Sequence, residues 1–354
     1  MFNIVLSFIT AFALSYMMMP SIIDMAILKK LAVPAPRARD AHKVPTPSLG
    51  GISIFIGVVF SIILWTPYDI FEDLQYILCG LLILFVIGVK DDIVEMSARR
   101  KLVGQILAAG ILVFKSDILI TDFQGIFDVN ELPGWVSVAL SIFVIIVIMN
   151  SFNLIDGING LSGSITTLVT LFFGGWFLAV DEAGLAIMAF ATMGSVVAFL
   201  RYNFPNAKVF MGDAGSLVLG MIISVLTIRF IELQIKLPVT NPYHYSAAPA
   251  MAIATLILPL FDTARVFISR AIRGRSPLQP DRNHVHHLLI DSGLSHTQAT
   301  LILVTVNVIF IILVVQLQGM GNALLLGFII LLALAFMGVL QLRVMRKRRL
   351  KNAA

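Results

Sequence analysis

The residues of this sequence that could do chemistry lie beside long apolar segments. They are the carboxylates Asp91, Asp92, Asp156 and Asp213, and the run 284–287, which contains three histidines. A protein that only packs apolar helices has no structural use for so many polar groups at one depth, because burying each of them is costly. These groups are typical of an active site at a membrane surface.

Asp91 and Asp92 are adjacent and end an apolar segment. Neighbouring carboxylates repel each other, so such a pair is retained mainly where a cation, a transferable proton or a strong hydrogen-bond donor offsets the repulsion. A solvated helix end explains the pair equally well when it is taken alone. The other motifs decide between the two interpretations.

The segment 150–161 joins two apolar stretches and carries no positive charge. Its two glycines allow the backbone to approach a ligand closely, and Asn153, Asp156 and Asn159 offer hard oxygen ligands or amide contacts for a base such as uracil. Asparagines that cap two helices are the structural alternative. The carboxylate of Asp156 favours a function, since an acid at membrane depth is costly.

Asp213 lies in the segment Phe210–Ser216, which opens another apolar stretch. Its carboxylate could be only the N-cap of a helix. A carboxylate, two glycines and a helix N-terminus are also what a magnesium-diphosphate site needs, namely an oxygen ligand, an accessible backbone and a positive dipole end. Both interpretations stay open on this motif alone.

Three histidines, His284, His286 and His287, follow Arg282 closely. The cluster predicts either a metal site or recognition of phosphate and sugar groups. Zinc is disfavoured, because no cysteine is nearby and Arg282 would oppose a cation. Diphosphate binding is the better interpretation.

Two lysines are candidates for phosphate contacts. Lys43 lies in the proline-bounded segment 42–51, and Lys101 follows Asp91 along the chain. An ammonium group is a compact point charge that suits phosphate. The alternative for each lysine is a charge that only sets the orientation in the membrane.

The composition predicts an all-α integral membrane protein. Of the 354 residues, 58% are hydrophobic and 13% are charged, which is too few charges to cover a soluble domain of this size. Apolar segments of roughly 20 residues, the length of a helical crossing, recur along the chain. We predict one polytopic domain over residues 1–354 with about eleven transmembrane helices, although ten stay open because the third and seventh segments are short. The predicted spans are 2–23, 49–66, 74–89, 102–120, 135–152, 161–180, 185–200, 216–233, 247–268, 300–317 and 322–342.

Positive charge predicts the orientation, because lysine and arginine are retained in cytoplasmic loops. With the N-terminus outside and the C-terminus in the cytoplasm, all of the 25 Lys and Arg residues except Lys115, Arg229 and Lys236 lie inside. The net charge of +5 then reflects topology and a basic tail beside anionic lipid, and we expect no nucleic-acid partner. The predicted cytoplasmic active-site loops are 24–48, 90–101, 153–161, 201–216 and 269–299.

Two smaller elements are also predicted. The segment 118–132 has the pattern of a short outer β-hairpin that turns near Gln124 and Gly125. The ninth span contains Pro259, which predicts a bent helix nine, and a groove for lipid is expected beside the bend, near Asp262.

Taken together, the motifs resemble those of the polyprenyl-phosphate N-acetylhexosamine-1-phosphate transferase family. Pro-Asp-Arg before His-x-His-His is similar to the WecA/TagO-like branch, whereas the MraY branch has three consecutive histidines. The matching motifs occur in family order at 42–51, 91–92, 153–161, 208–216 and 276–287.

The resemblance implies transfer of an N-acetylhexosamine 1-phosphate, with N-acetylglucosamine favoured, from a UDP-sugar to undecaprenyl phosphate. UMP would be released, and the cofactor would be Mg²⁺, for which Mn²⁺ could substitute. The reaction would be the first membrane step of a cell-surface glycan pathway, at the cytoplasmic face of the bacterial inner membrane. Because dimers occur in the family, a homodimer is also an expectation. The sugar could be another N-acetylhexosamine.

The resemblance further implies roles for the acids. Asp213 would be the principal magnesium ligand, with Asn153 beside it. Asp91 would lie nearest the attacking lipid phosphate, and Asp92 would support that site and position a lysine. Asp156 belongs to the same group of catalytic acids.

The remaining roles concern the substrates. Position 159 is Asn here, where many bacterial members have Asp, so that it could hydrogen-bond uracil without contributing charge. The expected substrate contacts are Lys43 and Lys101 to phosphates, Phe210 stacked on uracil, Asn159 at the edge of the base, and Arg282, His284, His286 and His287 on the diphosphate and sugar.

Direct in-line attack by the lipid phosphate, kept deprotonated by Asp91, is the expected mechanism. A covalent intermediate between an aspartate and the phosphosugar stays open. A secondary transporter and a non-catalytic sugar-lipid sensor are the competing functional classes. A transporter predicts acids near the bilayer midplane and inverted repeats, whereas these acids are predicted at cytoplasmic helix ends.

Overall fold

The computed structural model describes residues 1–31, 46–70, 74–274 and 284–353. This part of the chain contains thirteen α-helices and one two-stranded antiparallel sheet. The helices are α1 (Phe2–Leu28), α2 (Gly50–Trp65), α3 (Leu74–Ile93), α4 (Ala98–Lys115), α5 (Gly134–Ile155), α6 (Leu161–Ala179), α7 (Ala183–Asn203), α8 (Gly212–Lys236), α9 (Ala248–Thr255), α10 (Ile257–Ile272), α11 (Val285–Asp291), α12 (His296–Leu317) and α13 (Asn322–Ala353), and the strands are β1 (Asp122–Ile126) and β2 (Val129–Glu131).

Every predicted span falls on a helix, and the ninth falls on the pair α9 and α10. Among the described residues, seven helices are long and apolar enough to cross a membrane, or eight if α9 and α10 form one bent span. The seven are α1, α5, α6, α7, α8, α12 and α13, while α2 is a shorter apolar helix. The all-α membrane class is therefore supported. Eleven crossings and the orientation of the termini stay predictions.

Helix α8 is the centre of the fold and packs against α2, α3, α5, α6, α7 and α9. Two glycines bring neighbouring helices close to its first turn. A Cβ atom on Gly88 would lie 2.4 Å from Cα of Ala214, and one on Gly51 would lie 2.1 Å from the backbone nitrogen of Gly215. Because neither glycine carries a side chain, α3 and α2 can approach the start of α8 at backbone distance.

The predicted bend in the ninth span is confirmed, with an angle of 80° between α9 and α10. The break is at Leu256, three positions before Pro259. Proline fits the first turn of the new helix, where no intrahelical donor is needed, but it cannot continue the preceding one. The carbonyl of Thr255, at the end of α9, accepts a 3.0 Å hydrogen bond from Nδ2 of buried Asn307. This contact supplies a hydrogen-bond partner at the break.

The predicted hairpin is present, but its predicted turn is wrong. Ile126 pairs with Val129, so the turn is formed by Phe127 and Asp128. Both turn residues have positive φ angles, as tight two-residue hairpin turns of the primed type require. Gln124 and Gly125 also have positive φ angles, but they lie within β1, where the strand register shifts. The glycine therefore marks an irregularity in the strand and not its reversal.

Candidate active site

Four helix ends meet at one place and bring together side chains that are distant in sequence. The C-terminal end of α3 supplies Asp91 and Asp92, and the first turns of α4 supply Lys101. The C-terminal end of α5 supplies Asn153, and the first turn of α8 supplies Asp213. The structure thus brings three of the predicted motifs to a single cluster.

Lys101 lies between two carboxylates. Its ammonium group is 2.6 Å from Oδ2 of Asp91 and also pairs with Oδ2 of Asp213. The three side chains keep 25%, 11% and 20% of their surface exposed, in the order Lys101, Asp91 and Asp213. The network is therefore partly desolvated, which strengthens its charge interactions, but it stays accessible to a ligand.

Asp92 has a different role from its neighbour, because it caps α8. Its Oδ1 accepts a 2.7 Å hydrogen bond from the backbone amide of Asp213, and its Oδ2 accepts a 3.0 Å bond from the amide of Ala214. These two amides belong to the first turn of α8, which has no intrahelical acceptor for them. The carboxylate of Asp213 does not cap the helix but accepts hydrogen bonds from Lys101 and Asn153.

Asn153 links α5 to α8 through its side-chain amide. Its Nδ2 donates to Oδ1 of Asp213 at 2.8 Å and to Oγ of Ser216 at 2.9 Å. One turn earlier, the amides of Asn150 and Gln105 bond reciprocally at 2.9 and 3.3 Å and join α5 to α4. These amide contacts fix the helices that present Lys101 and Asp213 to each other.

The residue types in this cluster, two carboxylates and a side-chain amide, are ones that a hard divalent cation can use. In the described ranges, no group of three or more His, Cys, Asp or Glu side chains has the arrangement of a metal site. The carboxylates of Asp91 and Asp213 nevertheless converge on one cation, the ammonium of Lys101, and Asn153 lies on the same carboxylate. Carboxylate and amide oxygens are the ligands that Mg²⁺ accepts in proteins.

Asp156 directly follows α5, and its carboxyl group interacts electrostatically with Asp213 and Asp92. Burial, together with the negative charges of Asp213 and Asp92, raises the pKa of its carboxyl to about 7. A carboxyl with such a pKa can exchange a proton near neutral pH. Burial also raises the pKa of Asp92 to about 7, so Asp156 is not the only acid here with a raised pKa.

The loop after Asp156 is held by backbone contacts. The side chain of Asn159 donates to the carbonyl of Pro205 at 3.0 Å, and the backbone carbonyl of Asn159 accepts from Oγ1 of Thr300 at 2.8 Å. The amide of Gly160 donates to Oδ1 of Asn203 at 2.6 Å. Asn203 also donates to the carbonyl of Val209 at 2.8 Å, which ties this loop to the segment before Asp213.

Phe210, predicted to stack on a base, lies between the start of α8 and the segment before α2. Its amide donates to the carbonyl of Pro47 at 2.8 Å, and its carbonyl accepts from the amide of Gly50 at 2.9 Å. The backbone of Phe210 is therefore fixed, and its side chain is half-buried.

The three histidines lie around the start of α11. The rings of His284 and His286 are stacked with centroids 5.6 Å apart, and the ring of His287 is 4.3 Å from that of His286. A Cβ atom on Gly157 would lie 2.2 Å from Nε2 of His286, so the histidine cluster packs directly on the loop after Asp156. The pKa of His286 is lowered to about 3, mainly by burial and secondly by the charge of His287.

Asp262 holds the start of this histidine segment. Its Oδ2 lies 2.8 Å from Nδ1 of His284, and its Oδ1 accepts a 2.9 Å hydrogen bond from the amide of Val285. The sequence interpretation named Asp262 only as a marker of a lipid groove. An acid inside an apolar helix was the signal that could have indicated a larger role.

Two predicted site residues, Lys43 and Arg282, lie outside the described residues. Sequence reasoning also missed Gln105, Asn203 and Thr300. Gln105 could have been recognised, because it follows Lys101 by one helical turn and therefore lies on the same face of α4.

Comparison with known proteins identifies the family of this chain. Residues 74–231 match the family described as glycosyl transferase family 4. The chain is 30% identical over 341 residues to a probable undecaprenyl-phosphate N-acetylglucosaminyl 1-phosphate transferase of Bacillus subtilis, over 96% of this chain and 92% of the relative. It is 31% identical over 294 residues to a decaprenyl-phosphate N-acetylglucosaminephosphotransferase of Mycolicibacterium smegmatis, over 77% of this chain and 72% of the relative.

A third relative is the undecaprenyl-phosphate alpha-N-acetylglucosaminyl 1-phosphate transferase of Salmonella typhi. It is 30% identical over 272 residues, which cover 75% of this chain and 71% of the relative. Since the Bacillus relative aligns with almost the entire sequence, this chain belongs to the polyprenyl-phosphate N-acetylhexosamine-1-phosphate transferase family.

Proposed function

We propose that this protein transfers N-acetylglucosamine 1-phosphate from UDP-N-acetylglucosamine to undecaprenyl phosphate and releases UMP. The names of its relatives, which specify this sugar and a polyprenyl phosphate acceptor, support the proposal. The structural observation that carries it is the pairing of Lys101 with both Asp91 and Asp213 at converging helix ends. This arrangement combines a fixed cation with acids at one accessible place.

The chemistry requires such a place, because two anions must meet. An oxygen of the lipid phosphate attacks the β-phosphorus of the nucleotide sugar and forms a new P–O bond. The bond from that phosphorus to the bridging oxygen breaks, and UMP leaves with its electron pair. Lys101 would offset negative charge as the two phosphates approach, and a preorganised charge is an effective way to stabilise such a transition state.

Asp91 is the acid that we assign to the acceptor. It would take up a proton from the lipid phosphate, so that the attacking oxygen is fully ionised. Asp92 holds the first turn of α8 and thereby places Asp213. Asp156, whose pKa is raised to about 7, would exchange a proton with the departing phosphate.

Magnesium is part of the proposal, with Asp213 and Asn153 as the residues that would hold it. When bound, the ion would neutralise charge on the diphosphate and on the leaving UMP. Mn²⁺ could replace it, because it takes the same kind of oxygen ligands.

The UDP-sugar would lie between the loop after Asp156, the segment before Asp213 and the histidine segment. Phe210 would stack on uracil and Asn159 would contact the edge of the base, while the diphosphate and sugar would meet His284, His286 and His287. Lys43 and Arg282 are proposed as additional phosphate contacts from the sequence alone. His286, with its low pKa, would act as a neutral hydrogen-bonding group.

The proposed setting is the bacterial cytoplasmic membrane. The N-terminus would lie outside and the active site would face the cytoplasm, where nucleotide sugars are available. The distribution of Lys and Arg supports this orientation. A homodimer remains an expectation from the family resemblance.

UMP release from the purified protein tests the proposal. The assay contains detergent, magnesium, undecaprenyl phosphate and one UDP-sugar at a time. We expect release with UDP-N-acetylglucosamine, dependence on the lipid, and weaker release with UDP-glucose. Release that is independent of the lipid, or absent with every UDP-N-acetylhexosamine, would overturn the proposal.

A trapping experiment distinguishes direct attack from a covalent route. The wild-type protein and Asp91→Asn are incubated with UDP-N-acetylglucosamine labelled in the sugar, without acceptor. Direct attack predicts no label on either protein after denaturation. A stable sugar-phosphate adduct on the wild type would show that an aspartate acts as the nucleophile.

A further inference from the structure

Asp262 makes an unusual pair of contacts for a residue on an apolar helix. It lies on α10, shortly after the 80° break, and is only 5% exposed. One carboxylate oxygen lies 2.8 Å from Nδ1 of His284, and the other accepts the 2.9 Å hydrogen bond from the amide of Val285. It therefore holds both the side chain of His284 and the first amide of α11.

The charge of this carboxylate is compensated locally. Nη2 of Arg265 lies 2.9 Å from Oδ1 of Asp262, the oxygen that also accepts from Val285. A buried carboxylate without such partners would be strongly destabilising. Two of the three donors, His284 and the amide of Val285, belong to the histidine segment. The charge of Asp262 is therefore fully compensated only when this segment is in place.

A continuous set of contacts leads from Asp262 to the catalytic loop. His284 is stacked on His286, and the ring of His286 packs against the backbone of Gly157. Gly157 directly follows Asp156. A displacement of His284 would therefore be transmitted to the loop that carries Asp156.

The ring geometry limits how His284 can meet a ligand. An ionised carboxylate is only an acceptor, so Nδ1 of His284 carries the proton that it shares with Asp262. This leaves Nε2, on the opposite side of the ring, as the nitrogen available to another group. The orientation of the ring is thus set by Asp262.

We propose that Asp262 is a positioning residue for the nucleotide-sugar site, which acts by holding His284 and the start of α11 against the loop after Asp156. This inference rests on the proposed function, because the ligand of His284 is taken to be the diphosphate of the UDP-sugar. Asp262 does not contact the substrate. The part of its effect that passes through the ring of His284 should disappear when that ring is removed, whereas the bond to the amide of Val285 stays.

A double-mutant cycle tests this dependence. The variants are Asp262→Asn, His284→Gln and the combination of the two, with UMP release as the readout. We expect Asp262→Asn to raise the KM for UDP-N-acetylglucosamine roughly tenfold, the size expected for a lost hydrogen bond to a charged group. The KM for undecaprenyl phosphate should change less than about twofold, and adding Asp262→Asn to His284→Gln should cause little further loss.

Two controls separate positioning from folding. Asp262→Glu keeps the charge and should recover part of the affinity for the nucleotide sugar. Asp128→Asn changes an exposed acid in the hairpin turn, outside every predicted active-site loop, and should leave both KM values unchanged. If Asp262→Asn does not purify as a monodisperse protein, the cycle is made with Asp262→Glu instead.

A chemical probe gives a readout that does not depend on activity. Diethyl pyrocarbonate modifies accessible histidines, and His284 is buried in the native protein. Mass spectrometry should show faster modification of His284 in Asp262→Asn than in the wild type and in Asp128→Asn. Unchanged modification, equal effects on the two KM values, or losses that multiply in the double variant would each overturn the inference. A wild-type protein that releases no UMP would instead refute the proposed function.

Discussion

The carboxylate of Asp92 caps the helix that carries Asp213, through a 2.7 Å hydrogen bond from the backbone amide of Asp213 itself. The two residues are 121 positions apart. One of the adjacent acids at the end of α3 thus positions the backbone of α8, while the other pairs with Lys101. The two neighbouring carboxylates have different tasks, and this difference can be measured.

Replacing Asp92 should weaken both the fold and the reaction. Asp92→Ala leaves two amides of α8 without their acceptor, and loss of such a cap costs about 1 kcal/mol of unfolding free energy. Asp92→Asn keeps one acceptor oxygen and should be affected less. Thermal unfolding in detergent and UMP release should rank the proteins as wild type, Asp92→Asn, Asp92→Ala. The reverse order of the variants would contradict a capping role.

Lys101 should be required for activity. Lys101→Met removes the cation between Asp91 and Asp213, which then repel each other, and kcat/KM should fall roughly 10²-fold or more. Lys115→Met is the matched control, since Lys115 is an exposed lysine in the last turn of α4, outside the predicted active-site loops. Full activity of Lys101→Met at saturating substrates would remove Lys101 from the proposed mechanism.

Asp213 should determine the response to magnesium. In Asp213→Ala the carboxylate that meets both Lys101 and Asn153 is lost. UMP release should be abolished and should not return when the magnesium concentration is raised. The measurement is a magnesium titration of the initial rate. A variant that retains activity with the wild-type magnesium response would show that the ion is bound elsewhere.

His286 predicts an effect of pH on stability. Its pKa is lowered to about 3 in the folded protein, chiefly by burial, whereas an unfolded histidine has a pKa near 6.5. Below about pH 6.5 the histidine takes up a proton in the unfolded protein but stays neutral in the folded protein. The free energy of unfolding therefore decreases as the pH falls from about 6.5 towards 3. By pH 5 the loss is about 2 kcal/mol.

The groups that contribute to this pKa besides burial are Asp262, His284, His287 and His296. The unfolding temperature measured from pH 7 to pH 5 should fall less steeply in His286→Gln than in the wild type. His244→Gln, which changes a histidine outside this cluster, is the control and should follow the wild type. Parallel curves for wild type and His286→Gln would show that His286 titrates normally.

The contact of α3 with α8 should not tolerate a side chain. Gly88→Ala places a methyl group 2.4 Å from Cα of Ala214, and overpacking of this kind costs about 1–3 kcal/mol. The new methyl group should push α3 away from α8 and so separate Asp92 from the backbone amides of Asp213 and Ala214. UMP release should therefore decrease. Gly110→Ala has open space around the new methyl group and should be neutral or slightly stabilising. Equal unfolding temperatures for the two variants would contradict the close approach.

Hydrophobicity predicted the helices well, because each apolar segment carries its own signal. The bend in the ninth span was also predictable, since Pro259 cannot continue a helix that precedes it. The hairpin turn was predicted at Gln124 and Gly125 because glycine favours turns, but strand pairing placed it at Phe127 and Asp128. Local residue preference did not determine the register.

The site was predictable as a set of residues but not as a set of contacts. The motifs identified Asp91, Asp92 and Asp213, yet no local pattern indicates that Asp92 bonds the amide of Asp213. The holding contacts of Asp262 were missed for the same reason, because Asp262 and His284 meet only after α10 has turned away from α9. Contacts between distant segments depend on helix packing, which sequence periodicity does not specify.

The meeting of four helix ends also has a consequence for biosynthesis. A chain emerges from the ribosome with its N-terminus first, so α3, α4 and α5 are made before α8. Until α8 enters the membrane, Asp91 and Lys101 have each other but lack Asp213, and Asp92 has no helix to cap. The cluster is therefore completed only when the central helix arrives, and a chain that ends before residue 212 cannot assemble it.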